Sequence, residues 1–364
     1  MTRKNKILIA TGGTGGHVFP AYSLAKHLIK NKYDVKLTID NRGLKYLKGY
    51  SDISFIKIPL SPLIKKNIFN FLFSIFIIIF STFRSLIILI FFRPSIVFGM
   101  GGYSSFPVCI AAIILRIKFV IYENNLVIGK ANKYLLPFAK KIFVSYNELQ
   151  GIPKKYNDKV CEIGNIVREE IINLNKDIEN NVFDGIKILV LGGSQAAKIF
   201  ANKLPAIFEK IKNSKIPIKV YQQCLNEQSE YLSKFYKKLK INYEIFNFSN
   251  NITDYYSKTN LVITRSGASV LGELINCKMP FISIPLPTST DNHQLKNALY
   301  YEKKGYGYLV QEKNIDNQLY DLIITIFKDE SLIKNILINQ GQYSDKNIFK
   351  NINNNMEKII DEKN

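Results

Sequence analysis

Several common kinds of site are missing from this chain of 364 residues. Its four cysteines, Cys109, Cys161, Cys224 and Cys277, form no CxxC pair and have no histidine at metal spacing. They read as unpaired thiols of a reducing compartment. No Asp-x-Asp pair occurs, so a divalent metal clamp on a diphosphate is not indicated. No dense Lys/Arg block and no aromatic RNA-binding motif occur, which argues against a nucleic-acid partner. After Arg3, Lys4 and Lys6 only four apolar residues precede a glycine turn, too few for a signal peptide. Acidic residues are scarce: 29 against 50 basic ones, a net charge of +21. Part of that excess follows from lysine being abundant throughout. The rest points to an anionic membrane surface or an anionic substrate.

Glycine is present where it matters. Thr11-Gly12-Gly13-Thr14-Gly15-Gly16-His17 follows the strand-like run Lys6–Ala10 and precedes the helix-like run Val18–Lys30. Glycines remove the Cβ atoms that hold a ligand away from the backbone, and a helix start offers free N–H groups and a positive dipole end. The spacing is not the dinucleotide fingerprint, which would need glycine at Val18. The alternative is a tight strand-to-helix turn with no ligand.

The length suggests roughly two domains. Strand-like runs at Lys6–Ala10, Val35–Ile39, Phe55–Ile58, Ser95–Phe98, Phe119–Tyr122 and Ile142–Ser145 alternate with helix-like ones. A second series comprises Lys187–Leu191, Lys219–Tyr221, Glu244–Phe246, Leu261–Thr264, Phe281–Ile284 and Tyr308–Val310. Alternation of this kind predicts an α/β fold of two Rossmann-like parallel-sheet domains, with ligands in a cleft between them. Leu191-Gly192-Gly193-Ser194-Gln195 repeats the first glycine turn, and the polar stretch Arg168–Asn181 reads as the connection. The predicted boundaries are 1–166 and 167–343, with a C-terminal helix over 344–364 packing back on the first domain.

The apolar segment Ile68–Phe92 is long enough to span a bilayer. Arg84 in its middle opposes that reading, as does the need to keep Lys6–Ala10 and Ser95–Phe98 on one side of a membrane. A buried core helix is the second reading. The favoured one is interfacial docking, with Phe and Ile in the acyl boundary and Lys65, Lys66, Arg84 and Arg93 facing anionic headgroups.

Further polar clusters end other strands. Gly99-Met100-Gly101-Gly102-Tyr103 offers a second set of N–H donors, and Asn125 in Tyr122-Glu123-Asn124-Asn125 can bond sugar hydroxyls or an acetamido group. Glu273, one turn into a helix expected over Ser269–Cys277, can accept from a ribose diol; ordinary helix N-terminal charge is the other explanation. Asp291-Asn292-His293-Gln294 opens another helix and suits sugar hydroxyls.

In order along the chain, Thr11–Pro20 (TGGTGGHVFP), Gly99–Tyr103 (GMGGY), Glu123–Lys133 (ENNLVIGKANK), Gly164–Arg168 (GNIVR), Gly192–Ala196 (GGSQA), Arg265–Glu273 (RSGASVLGE) and Asp291–Ala298 (DNHQLKNA) resemble the MurG family. These are the undecaprenyldiphospho-muramoylpentapeptide N-acetylglucosaminyltransferases of bacterial cell-wall synthesis. The resemblance implies a GT-B glycosyltransferase fold with an acceptor and membrane-docking first domain and a donor-binding second one. It implies transfer of N-acetylglucosamine (GlcNAc) from UDP-GlcNAc to lipid I, giving lipid II with inversion and without a cofactor. It also implies a peripheral location on the cytoplasmic face of the inner membrane, with the membrane surface met through 65–93, and a cell-wall synthesis complex as protein partner.

By the same resemblance Glu273 holds the ribose, while Ser194, Ala268, Ser269 and Val270 meet the diphosphate. Gln294 and His293 read the GlcNAc, Ser249 lies in the uracil loop near Phe248–Ile252, and Thr14, Gly15, Gly16, Asn125 and Arg168 complete the donor site. Gly13, Gly101, Gly102, Tyr103 and Glu123 are implied for the acceptor. His17 is the candidate base, an imidazole titrating near neutrality; packing at the helix start or binding acceptor phosphate are its other readings. The chain departs from the family pattern at Asn124 (usually Gln), Ile166 (Pro), Val270 (Thr) and Ser249 (often Ile). A valine donates no hydroxyl to phosphate. Two other functions stay open: a UDP-sugar-dependent transferase acting on another lipid such as diacylglycerol, and a non-catalytic nucleotide-sugar-binding subunit at the membrane.

Overall fold

The computed structural model describes residues 5–47, 50, 52–60, 67–174, 185–249 and 251–362, with residues 194–197 described by their backbone only. The chain divides into two compact units, Met1–Arg168 with Asp345–Asn364, and Glu169–Ser344. Among the described residues, seven parallel strands form the first sheet. They are β1 (Lys6–Ala10), β2 (Asp34–Ile39), β3 (Phe55–Lys57), β4 (Ile96–Gly99), β5 (Phe119–Glu123), β6 (Lys141–Val144) and β7 (Val160–Glu162), in the order β3-β2-β1-β4-β5-β6-β7. Strand β1 is buried on both faces, as parallel strands covered by helices must be. Ile7 and Ile9 enter one core cluster, Leu8 and Ala10 the other. The connections carry α1 (Gly15–Lys30), α2 (Asn41–Leu44), α3 (Ile68–Phe92), α4 (Gly102–Ile114) and α5 (Lys130–Leu135).

Helix α3 is inverted relative to an ordinary surface helix. Its buried positions are Ser74, Ser81, Ser85, Leu89 and Phe92. The serine hydroxyls are satisfied locally: Ser74 donates to the Asn70 carbonyl (2.7 Å), Ser85 to the Ser81 carbonyl (2.7 Å) and Ser81 to the Pro59 carbonyl. Small residues let α3 lie close against α4, while Phe69, Phe73, Phe76, Phe83 and Phe91 point outward. By length and composition α3 could cross a bilayer, and only 22% of its most apolar stretch is buried. A core helix is therefore excluded. Lys65 and Lys66 lie outside the described residues; Arg84 is exposed, and Arg93 ends the helix in the left-handed conformation (φ 51°).

The second unit repeats the scheme. Strands β8 (Ile186–Leu191), β9 (Ile218–Gln223), β10 (Asn242–Phe246), β11 (Leu261–Thr264), β12 (Phe281–Ser283) and β13 (Tyr308–Leu309) are parallel, in the order β10-β9-β8-β11-β12-β13. Its helices are α6 (Glu169–Ile172), α7 (Gly193–Asn213), α8 (Asn226–Lys238), α9 (Ile252–Lys258), α10 (Ala268–Asn276), α11 (His293–Lys303), α12 (Tyr320–Lys328) and α13 (Glu330–Gly341). In each sheet the order reverses between the first and fourth strands of the unit, β1 beside β4 and β8 beside β11. Ligands of open α/β sheets bind outside the carboxyl ends at such a reversal.

A last helix, α14 (Ile348–Asp361), returns to the first unit. Its Ile348, Ile352, Met356 and Ile359 recur at helical spacing and enter the cluster of Leu24, Leu28 and Val35. Asp345 accepts from the Asn165 backbone N–H (3.0 Å), and the Lys118 ammonium donates to the Ile359 carbonyl (2.9 Å) near the helix end. Of the stretch Arg168–Asn181, residues 175–181 lie outside the described residues.

Candidate functional site

Both strands at the reversal of the first sheet end in glycine turns. After β1 the chain turns through Gly12 (φ 150°) and Gly13 (φ 80°) and begins α1 at Gly15. A Cβ on Gly12 would stand 2.6 Å from Asp40 Oδ1 and 2.7 Å from Ser104 Oγ, so only glycine fits. Asp40, which follows β2, is buried and fully engaged. Its Oδ1 accepts from the backbone N–H groups of Gly13 and Gly43 (both 2.8 Å), and its Oδ2 pairs with Arg42 Nε (3.1 Å). After β4, Gly101 (φ 83°) and Gly102 (φ 71°) open α4. A Cβ on Gly102 would come within 3.4 Å of His17 Cδ2 and Nε2, and one on Gly101 within 3.5 Å of His17 Cε1. The imidazole thus lies across the second glycine turn, while its own backbone carbonyl accepts from the Thr11 hydroxyl (2.9 Å).

The turn after β5 is organised by Glu123. Its Oε1 accepts from Asn125 N–H (3.1 Å) and Asn125 Nδ2 (2.9 Å), and its Oε2 from Gly129 N–H (2.8 Å) and Asn132 Nδ2 (3.0 Å). This carboxylate spends its acceptor capacity on its own loop. Asn124, where the family usually has Gln, reaches the Gly16 carbonyl with Nδ2 (3.4 Å) and ties the loop to α1. Thr14 stands at the N-cap of α1 without a side-chain cap bond. Arg168 lies over the Phe19 ring, 5.2 Å from its centroid, and Tyr103 is exposed at the start of α4.

In the second unit the reversal is again flanked by helix starts. Gly193 (φ 62°) opens α7 and donates its N–H to Gln223 Oε1 (3.2 Å) at the end of β9. The Ser194 side chain lies outside the described residues. After β11, Ala268, Ser269 and Val270 form the first turn of α10, and Glu273 follows one turn later. The Glu273 carboxylate accepts from the Tyr256 hydroxyl (3.3 Å). Arg265 is buried; it donates to the carbonyls of Ile284 and Pro285 (both 3.1 Å) and pairs with Glu312, which fixes the loop after β12. That loop passes through Asp291 and Asn292, both left-handed, into α11. His293 Nδ1 lies 2.7 Å from the Thr290 carbonyl, and Gln294 Oε1 accepts from Leu286 N–H (3.0 Å). Ser249 follows β10, where its hydroxyl accepts from Asn251 N–H (3.1 Å); Asn250 lies outside the described residues.

The residues named from sequence therefore fall into two sets. Gly13, Thr14, Gly15, Gly16, His17, Gly101, Gly102, Tyr103, Glu123, Asn125 and Arg168 belong to the first unit; Ser194, Ser249, Ala268, Ser269, Val270, Glu273, His293 and Gln294 belong to the second. Among the described residues no group of three His, Cys, Asp or Glu could hold a metal ion. Sequence reading missed Asp40 and Gln223, which brace the two glycine turns. Their common signal is position, at the carboxyl end of the strand beside the one that carries the turn.

The family model for the glycosyltransferase family 28 N-terminal domain matches residues 7–144, and that for the C-terminal domain matches residues 187–355. The chain is 39% identical over 98% of its length, and 99% of the other, to a UDP-N-acetylglucosamine–N-acetylmuramyl-(pentapeptide) pyrophosphoryl-undecaprenol N-acetylglucosamine transferase of Pelagibacter ubique. A protein of that name from Rickettsia felis is 35% identical over 90% of this chain and 92% of its own. The crystal structure of Acinetobacter baumannii MurG superposes with a TM-score of 0.77 at 24% identity, covering 98% of this chain and all of that one, and shares the fold. Matches to both domain models and identity along the whole length make this chain a member of glycosyltransferase family 28, in the MurG family that its motifs resemble.

Proposed function

We propose that this enzyme transfers GlcNAc from UDP-GlcNAc to the C4 hydroxyl of the MurNAc-pentapeptide of lipid I, giving lipid II. The observation that carries the reading is the agreement of two findings. Relatives matched over at least 90% of both lengths are named for this reaction, and glycine turns stand at the reversal of both sheets, a position suited to anionic ligands.

The first unit takes the acceptor and the second takes most of the donor. Glu273 accepts from the ribose hydroxyls, and the starts of α7 and α10 direct N–H groups and positive dipole ends at the donor diphosphate. Gln294 and His293 bond the GlcNAc hydroxyls, and the Ser249 loop flanks the uracil. Thr14, Gly15, Gly16, Asn125 and Arg168 add donor contacts from the first unit. The acceptor O4 attacks the anomeric carbon opposite UDP. The O4–C1 bond forms, the C1–O bond to UDP breaks with its electron pair leaving on UDP, and the O4 proton passes to His17. Dipoles aimed at the departing diphosphate act where its charge develops, and there they lower the barrier.

The outward phenylalanines of α3, flanked by Arg84 and Arg93, are the surface by which the enzyme meets the cytoplasmic leaflet. Exposed apolar area of this extent favours docking on a bilayer. The test is incubation of the purified chain with labelled UDP-GlcNAc and either a short-chain lipid I analogue or diacylglycerol. A labelled disaccharide on the lipid I analogue alone is the expected result. Transfer to diacylglycerol alone, or to neither, refutes the assignment.

A further inference from the structure

The loop after β12 is held by a relay of side chains that starts outside every sequence motif. Pro285 and Pro287 bring no N–H groups, and Leu286 between them donates its N–H to Gln294 Oε1 (3.0 Å). That bond settles which end of the Gln294 amide is used up. The oxygen is engaged, and the nitrogen, with two N–H donors, has no partner among the described residues. The residues just before Leu286 are fixed in turn by Arg265, whose Nη1 donates to the carbonyls of Ile284 and Pro285 (both 3.1 Å).

Arg265 needs an anchor of its own. Its Nε is buried without a hydrogen-bond partner, and its cation lies over the Phe200 ring, 5.0 Å from the centroid. The remaining nitrogen, Nη2, donates to Glu312 Oε2 (2.5 Å). Glu312 begins the single turn Glu312–Asn314 after β13, 47 residues from its partner. The Arg265 side chain is 8% exposed and that of Glu312 25%, so the pair is largely shielded from water. Helix α11, which carries Gln294, has a separate tie to the end of β11: the buried Asn297 amide donates to the Ser266 carbonyl (3.1 Å). Loss of Glu312 therefore frees the loop and the Gln294 amide without freeing the helix.

We infer that Glu312 is a positioning residue for donor-sugar selectivity. Through Arg265 it keeps the Leu286 N–H on Gln294 Oε1, so Gln294 offers the sugar N–H donors only. An amide released from Leu286 can turn over and offer its oxygen instead, and it then accepts hydroxyls of the wrong configuration as readily as the right one. The inference rests on the proposed reading in which Gln294 meets the GlcNAc hydroxyls.

The experiment measures the KM for UDP-GlcNAc, and the inhibition constants of UDP and of the C4 epimer UDP-GalNAc, in the full chain with a short-chain lipid I analogue. Glu312→Ala is expected to raise the KM for UDP-GlcNAc about 3- to 10-fold, the size of one lost neutral hydrogen bond. The constants for UDP and UDP-GalNAc stay within ~2-fold, as does kcat, and Glu312→Gln, which keeps an acceptor oxygen, recovers most of the loss. In a Gln294→Ala background Glu312→Ala adds less than ~2-fold, because the two act on one contact. The paired replacement Arg265→Met with Glu312→Leu, which leaves no buried charge unpaired, reproduces the narrowed selectivity in a second chain. An equal loss for UDP and UDP-GlcNAc, or full additivity with Gln294→Ala, overturns the role of Glu312 and leaves the reaction intact. A Gln294→Ala variant with an unchanged KM for UDP-GlcNAc overturns the proposed sugar contact, and this inference with it.

Discussion

The outward face of α3 allows a quantitative test. Phe76 and Phe83 are 64% and 61% exposed. Full burial of a phenylalanine side chain is worth about 1.5–3 kcal/mol, so moving the exposed part of each ring into the acyl boundary yields roughly 1–2 kcal/mol. Replacing both by serine removes about 2–4 kcal/mol of membrane affinity, or one and a half to three orders of magnitude in the partition coefficient at ~1.4 kcal/mol per decade. Sedimentation with vesicles containing anionic phospholipid reads this directly. UDP-GlcNAc binding, measured by calorimetry without vesicles, serves as the control; it is expected to hold, because these residues lie in the first unit and the donor is proposed to bind mainly the second. A second control reverses the logic. Ser85→Leu forces bulk into the close-packed inner face and costs about 1–3 kcal/mol of stability, with vesicle affinity retained. A double serine variant that binds vesicles like the unaltered chain, or that loses donor binding to the same extent, refutes the reasoning.

Four further outcomes are expected. His17→Ala lowers turnover at saturating donor and acceptor by about two to four orders of magnitude if the imidazole is the base; unchanged turnover removes it from the mechanism. Glu273→Gln raises the KM for UDP-GlcNAc by about 10- to 100-fold, while Tyr256→Phe, which removes only the hydroxyl donating to that carboxylate, changes it by less than ~5-fold; steady-state kinetics with both variants decides. Gly12→Ala, whose methyl would stand 2.6 Å from Asp40 Oδ1, costs about 2 kcal/mol or more, a fall of roughly 4–8 °C in the melting temperature of that unit by calorimetry. Among the thiols, half-exposed Cys161 reacts first with a disulfide reagent, and the buried Cys109 last. Burial raises the Cys161 pKa, so its thiolate is scarcer than a free cysteine's near pH 8 and its reaction rate climbs as the pH rises further.

Strand positions were largely legible because parallel strands buried on both faces are continuous apolar runs. Lys6–Ala10 and Leu261–Thr264 coincide with β1 and β11. The short β7 was not legible: its three residues, Val160, Cys161 and Glu162, form no apolar run and end a sheet edge. Helix α1 begins at Gly15 and not at Val18, since glycine is tolerated at a helix start whose first N–H groups have no intrahelical partner. The limits of α3 follow from hydropathy, but its orientation does not. Hydropathy marks phenylalanine for the interior, whereas contact with α4 selects the serines, whose hydroxyls find carbonyls nearby. The ordered motifs revealed the glycine turns and the residues around them. They did not reveal what holds the turns in shape, because Asp40 is 27 residues from Gly13 and Gln223 is 30 from Gly193. For Glu123 the motif marked a loop whose carboxylate proves to be its organiser.

The return of α14 bears on how the chain is made. A ribosome delivers β1 to β7 early, yet the trough lined by Leu24, Leu28 and Val35 stays open until Ile352, Met356 and Ile359 have emerged. The second unit, continuous in sequence, can close before the first one is finished. The nascent polypeptide therefore carries an uncovered greasy channel through most of its synthesis, and a premature stop beyond Ser344 would spoil the unit translated first.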